Sequence, residues 1–109
     1  MLKKSKRLRS SEVEQVMKLG RSFRSVHLQV KFAPSTAAGP LKSAAVVPKS
    51  LARKATARNS LRRALYRALA IQNTSGITGS AVFFVRVVPK EKLTAVFAEE
   101  LMQLLSKLS

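Results

Sequence analysis

The sequence predicts a mixed α/β (α+β) domain, ordered helix, strand, strand, long helix, strand, helix. Three observations predict it. Apolar residues recur at spacings of three and four in some segments and at a spacing of two in others. Glycines and prolines (Gly20, Pro34, Pro40, Pro48, Gly76, Gly79, Pro89) fall between those segments, where a chain must turn. The chain has 109 residues and is 46% hydrophobic, enough for one core and one domain over 1–109.

The first element opens with Ser11-Glu12-Val13-Glu14, the form of a capping box with Ser11 at the N-cap. Val13, Val16 and Met17 follow at i, i+3 and i+4, so a helix is expected from about Glu12 to Leu19, stopped by Gly20. From Val26 to Ala33 the period is two, with Leu28, Val30 and Phe32 on one face and His27, Gln29 and Lys31 on the other. Pro34 to Pro40 reads as a loop and Ser43 to Val47 as a second strand, ended by Pro48; a further short strand has room between Pro34 and Pro48. A long helix is expected from about Leu51 to Gln72. It turns Ala57, Leu61, Ala64, Leu65 and Ala68 to one side and Arg58, Asn59, Arg62, Arg63, Tyr66 and Arg67 to the other. After a loop at Asn73-Thr74-Ser75-Gly76, a strand is expected from Ala81 to Val88, and its apolar run Ala81 to Val85, interrupted at Arg86, predicts a central position covered on both faces. A last helix, Thr94 to Lys107, carries Val96, Phe97, Leu101, Leu104 and Leu105 inward. Phe83, Phe84 and Phe97 are assigned to the core, while Phe23 suits either the core or a cleft.

Charge sets the class of function. Twenty-one Lys and Arg against five acidic residues give a net charge of +16. Glu12 and Glu14 lie early and Glu91, Glu99 and Glu100 late, so nothing acidic stands between Gln15 and Lys90. Such self-repulsion in a compact domain points to a polyanionic partner. A membrane surface is one polyanion, but no apolar run of signal-peptide or transmembrane length follows the basic tail at 1–9. The absence of cysteine removes disulfides and thiolate metal sites and fits a cytoplasmic protein.

The long helix carries the strongest signal. Lys49, Arg53, Lys54, Arg58, Arg62, Arg63 and Arg67 place seven basic residues within 19 positions. A merely solvated helix face interleaves Glu with Lys to gain i,i+4 pairs, and this one has no acid to relieve Lys54, Arg58 and Arg62. A nucleic acid would neutralise it. Arginine grips phosphate bidentately and stacks on unpaired bases, which favours structured or single-stranded RNA over simple charge screening. Asn59, a poor helix former inside the basic arc, is either a neutral surface residue or a hydrogen-bonding partner at the RNA surface. Lys3, Lys4, Lys6, Arg7 and Arg9 form either a loose phosphate-binding tail or a specific contact.

The segment from Val47-Pro48-Lys49 through Lys54-x-x-x-Arg58-Asn59-x-x-Arg62-Arg63 resembles the signature of the bacterial ribonuclease P protein component. Arg7-Leu8, the helix Glu12 to Leu19 with Gly20-Arg21-Ser22, and the last strand and helix are similar to the same family, so the likeness covers nearly the whole chain. The resemblance implies a two-layer α/β sandwich with a left-handed β-α-β crossover around the basic helix, an exception to the usual right-handed rule. It implies binding of a catalytic RNA by the basic helix, one protein per RNA. It also implies that the 5′ leader of precursor tRNA lies in a cleft between the first helix and the sheet, at Val13, Met17, His27, Gln29 and Lys31. Mg2+ would be held mainly by the RNA subunit. Departures are visible: Ser60 replaces the second Arg of an Arg-Asn-Arg pattern, Tyr66 replaces a basic residue, and Val13 and Met17 replace aromatic rings. Each lost ring removes roughly 1–3 kcal/mol of base stacking.

The chain's own residues offer little for cutting RNA. Metal-dependent cleavage needs clustered carboxylates, and Glu12 and Glu14 point about 200° apart on a helix. A metal-free nuclease wants an acid–base pair, and His27, the single histidine, reads as a strand-surface residue. The expected role is therefore the protein subunit of a ribozyme that removes tRNA 5′ leaders, with no catalytic residue in the protein. The other reading is a small structural RNA-binding protein of ribosomal type.

Overall fold

The computed structural model describes residues 7–34, 39–74 and 76–108. The lysines of the basic tail, Ser75, and 35–38 of the expected loop lie outside them. The described residues form α1 (Ser10–Leu19), β1 (Arg21–Arg24), β2 (Leu28–Pro34), β3 (Lys42–Val46), α2 (Ala55–Ala70), β4 (Gly79–Val85) and α3 (Leu93–Leu108). The strands make one mixed sheet in the order β1-β2-β4-β3. Neighbours are antiparallel except β3 and β4, which run parallel and are joined through α2.

Helices cover both faces of the sheet. On one face Leu28, Val30, Phe32, Ala45, Ala81, Phe83 and Val85 pack against Leu61, Leu65, Ala68 and Leu69 of α2 and Phe97, Leu101 and Leu104 of α3. On the other, Val82 and Ala44 meet Val16 of α1, with Leu8, Val13, Val46 and Phe84 around them. The continuous apolar run of β4 has its explanation here: the strand is flanked on both edges and buried on both faces. Each fully buried large side chain, such as Phe83, Phe97, Leu65 or Leu101, contributes about 1.5–3 kcal/mol.

Several boundaries differ from expectation. Helix α1 starts at Ser10, with Arg9 rather than Ser11 at its N-cap; the Glu12 carboxylate, not that of Glu14, accepts from the Arg9 backbone N–H at 3.0 Å. The fourth strand is β1, ahead of the expected pair; among the described residues between Pro34 and Pro48, β3 is the one strand. Arg-Ser-Phe-Arg lacks an apolar alternation because β1 is a short, exposed edge strand. Strand β2 begins at Leu28, after a turn in which Leu28 N–H donates to Ser25 Oγ and Ser25 N–H to the Leu28 carbonyl. Strand β4 ends at Val85 because the Arg86 and Val87 N–H groups both turn to the His27 carbonyl. Helix α2 starts at Ala55, since Pro48 to Leu51 form a turn closed by Leu51 N–H to the Pro48 carbonyl. Ala57 is exposed in its first turn rather than in the core, and Leu69 is buried instead. Phe84 is half-buried on the α1 side, and Phe23 packs against the main core. No helix of the described residues is long and apolar enough to cross a membrane.

Gly20 joins α1 to β1 at very close range. Its N–H donates to the Val16 carbonyl at 2.7 Å. A Cβ there would lie 2.5 Å from that oxygen and 3.1 Å from the Phe32 nitrogen, both backbone atoms that cannot swing aside. Gly20→Ala is expected to destabilise the fold by about 1–3 kcal/mol through this overpacking, read as a lower urea midpoint at unchanged m-value.

Candidate nucleic-acid interface

The basic surface is built around α2. Leu61, Ala64, Leu65, Ala68 and Leu69 are buried, so the helix's spacing forces Asn59, Arg62, Arg63 and Arg67 outward, all exposed. Lys49, Arg53 and Lys54 are exposed on the turn that leads into the helix. Lys54 is the N-cap and offers no side-chain acceptor to the first-turn N–H groups, and no acid stands in that turn. The helix entrance thus presents open backbone donors beside three cations, an arrangement suited to phosphate.

Not every arginine of the set faces outward. Arg58 is partly buried, and its Nη1 donates to the carbonyls of Ala52 at 3.0 Å and Arg53 at 2.7 Å. It fastens the turn that carries Lys49, Arg53 and Lys54. Arg62 Nη2 donates to Asn59 Oδ1, so the asparagine one turn earlier orients this guanidinium. Around these groups the structure leaves a pocket lined by Arg7, Asn59, Arg62, Arg63 and Tyr66. Tyr66 is not among the expected RNA-binding residues, and Arg7 is expected only as part of the basic tail, apart from α2. Tyr66 was legible only as a non-basic residue on the basic arc, and nothing in the sequence ties Arg7 to it.

Of the residues expected to line a cleft, Val13, Met17, Gln29 and Lys31 lie on the opposite side of the sheet from α2 and are only partly brought together, while His27 is bound to α3. Val13 and Met17 lie on α1, Val13 half-buried over the smaller core and Met17 38% exposed. Lys31, on β2, donates from Nζ to the Met17 carbonyl at 3.2 Å and bridges strand to helix. Gln29 turns toward β1 instead, its Nε2 donating to Ser22 Oγ at 2.7 Å. Phe84 of β4 is the cross-strand partner of Gln29 and supplies an aromatic ring on this side. Strand alternation relative to Phe83 was the signal that would have placed it here.

His27 is drawn to a different partner. Its Nδ1 lies 2.5 Å from Glu100 Oε2 on α3, and its backbone N–H donates to Oε1 at 2.7 Å. Ser25 Oγ donates to the same Oε1. The carboxylate sits at the centre, with serine and histidine both bound to it, so the serine is not activated by the imidazole as a nucleophile would be. Burial alone would raise the Glu100 pKa. The hydroxyl of Ser25, the His27 N–H and the His27 ring outweigh it and hold the carboxyl below the ordinary range. Among the described residues no group of three or more His, Cys, Asp or Glu is disposed to hold a metal ion, so these side chains do not fit a Mg2+ site.

Comparison with known proteins follows this geometry. The Ribonuclease P family model matches residues 2–109. The fold is similar to the RNase P protein from Thermotoga maritima, with 22% identity, a TM-score of 0.79, and coverage of 94% of this chain and 97% of that one. It is also similar to the Staphylococcus aureus RNase P protein, with 18% identity, a TM-score of 0.77, and 95% of each chain covered. At these identities the structural likeness is one of fold. No curated protein sequence matches the chain.

Because Glu100 titrates low in the folded protein, its stabilising contribution is complete above the ordinary carboxyl range and is lost as pH falls through the folded pKa. Glu100→Gln is therefore expected to cost about 1–3 kcal/mol at neutral pH. The gap to the unmodified protein should close in acid, as measured by urea denaturation at stepped pH.

Proposed function

The chain belongs to the Ribonuclease P family, and we propose that, as the protein subunit of this RNA-processing endoribonuclease, it holds the catalytic RNA on α2 and the 5′ leader of precursor tRNA against α1 and β2. The observation that carries the reading is the α2 surface. Arg62, Arg63 and Arg67, with Lys49, Arg53 and Lys54 before them, are exposed, and the ion pairs among the described residues, His27–Glu100 and Lys42–Glu12, lie elsewhere. An RNA backbone supplies the missing anions and releases its counterions on binding.

In this reading the protein contributes position and charge, and the RNA contributes the reacting groups. The partly buried Ser25–Glu100–His27 cluster is structural, and the exposed arginines are donors without an acid–base partner. Divalent ions belong among the RNA's phosphates, and α2 lowers the repulsion that folding those phosphates together would cost. The leader lies over Met17, Lys31 and Gln29, where Lys31 offers a cation and Phe84 a ring, so its recognition leans on backbone charge. One protein per RNA, in the cytoplasm, completes the reading.

Reconstitution tests it. With ribonuclease P RNA at low Mg2+, the chain is expected to raise cleavage of precursor tRNA at the 5′ end, and alone to leave it uncut. No gain in cleavage would favour an RNA-binding protein of ribosomal type, and cutting by the protein alone would place the chemistry in the chain. The two central arginines should also separate. Arg62→Ala should lower the slope of log K against log salt by roughly 0.7–0.9 at unchanged melting temperature. Arg58→Ala should lower the melting temperature too, because two backbone carbonyls lose their donor.

A further inference from the structure

We infer that the outer face of α3, with the groove between it and the end of α2, is where a second copy of this chain docks, about a two-fold axis at Gln103. The inference is independent of the RNA-binding reading, because it rests on α3 and not on the basic surface.

The groove is apolar and carries no charge. Ile71, Gln72 and Asn73 at the end of α2, Ile77 in the loop that follows, and Met102, Leu105 and Ser106 of α3 enclose a volume of about 470 Å³. No lysine, arginine or carboxylate borders it. Ile71 is 71% exposed on one wall and Met102 65% exposed on the other. Large apolar side chains gathered this openly on a charged molecule mark a surface that another molecule covers.

The charges beside the groove select the occupant. A net charge of +16 opposes self-association over most of the surface. Yet the charged side chains that α3 exposes are Glu99 and Lys107, one of each sign. Glu100 is turned inward to Ser25 and His27. Neither Glu99 nor Lys107 joins an ion pair among the described residues. Glu99, Gln103 and Lys107 are all exposed and stand at i, i+4 and i+8, the ridge by which helices most often pack. A two-fold axis at Gln103 lays two such ridges antiparallel. Each Glu99 then meets the other copy's Lys107, since both lie about 6 Å along the helix from the axis. The ridge is its own complement. The same axis places both grooves on one flank of the helix pair, so each Met102 faces the other copy's groove, and methionine fills an irregular apolar gap readily. A nucleic acid would find no cation in the groove, and an anionic membrane would draw the chain by its basic surface instead. The basic entrance of α2 is one helix length, about 24 Å, from Ile71, so pairing through α3 keeps both basic surfaces open.

Sedimentation equilibrium of the full chain without RNA, at near-physiological salt and from micromolar to near-millimolar concentration, tests the inference. The unmodified chain should approach twice its monomer mass at the upper end. Met102→Lys should weaken pairing by roughly tenfold or more, because it puts a cation into an apolar groove. Glu99→Lys and Lys107→Glu should each weaken it about tenfold, because the two-fold axis turns one substitution into two like-charge contacts. The double variant Glu99→Lys/Lys107→Glu should regain the unmodified affinity. All three positions are exposed, so each variant should keep the melting temperature of the dilute, unpaired chain; if Met102→Lys does not fold, the charge variants carry the test. A chain that stays monomeric throughout overturns the docking of a second copy. A dimer that Met102→Lys leaves unchanged overturns the groove. Single charge variants that pair normally, or a double variant that does not recover, overturn the axis at Gln103.

Discussion

Helix α2 concentrates positive charge that its own sequence does nothing to relieve, and the rest of the molecule is arranged around keeping it folded. Lys54–Arg58, Arg58–Arg62 and Arg63–Arg67 are like-charge neighbours at i,i+4, each costing about 0.2–0.5 kcal/mol. Burial of Leu61, Leu65 and Leu69 at about 1.5–3 kcal/mol apiece is several times larger. The helix is therefore stable because its inner face is apolar and fully covered by the sheet and α3, and its outer face is free to be chosen for a partner. Arg58 marks the border between the two duties, since it spends its donors on the turn at Ala52 and Arg53.

The sheet separates two surfaces with different tasks, and the β3 edge connects them. Ser43 and Ala45 face the α2 side, while Lys42, Ala44 and Val46 face α1. Along that edge Arg7 and Leu8 take opposite sides, and the chain then turns into α1. The same short segment thus belongs to both surfaces. It also covers backbone groups of an edge strand that would otherwise offer pairing to another chain.

How far the sequence could be read depended on the range of the forces involved. Helices α2 and α3 and strand β4 were legible because an amphipathic stripe or an unbroken apolar run reports directly on burial. The basic arc of α2 was legible for the same reason. Strand β1 was not, because one apolar residue in Arg-Ser-Phe-Arg gives no period and its pairing with β2 comes from the sheet. The start of α2 was placed too early, because Leu51 and Ala52 look helical while the turn at Pro48 and the Arg58 staple hold them out. His27 was read from its strand face alone; its partner is 73 residues away on α3, and no local pattern announces Glu100. Arg7 over Tyr66 is another long-range match of this kind, invisible until the β3 edge is built.

Gly20 has a consequence for how the α1 side can change. The Val16 carbonyl and the Phe32 amide both crowd the place where a Cβ of residue 20 would stand, so the end of the helix meets the strand at main-chain range. Val13 and Met17 stand on the same helix, Val13 over the smaller core and Met17 toward solvent. Their side chains can change in shape or polarity without touching the backbone contact that seats α1 on β2.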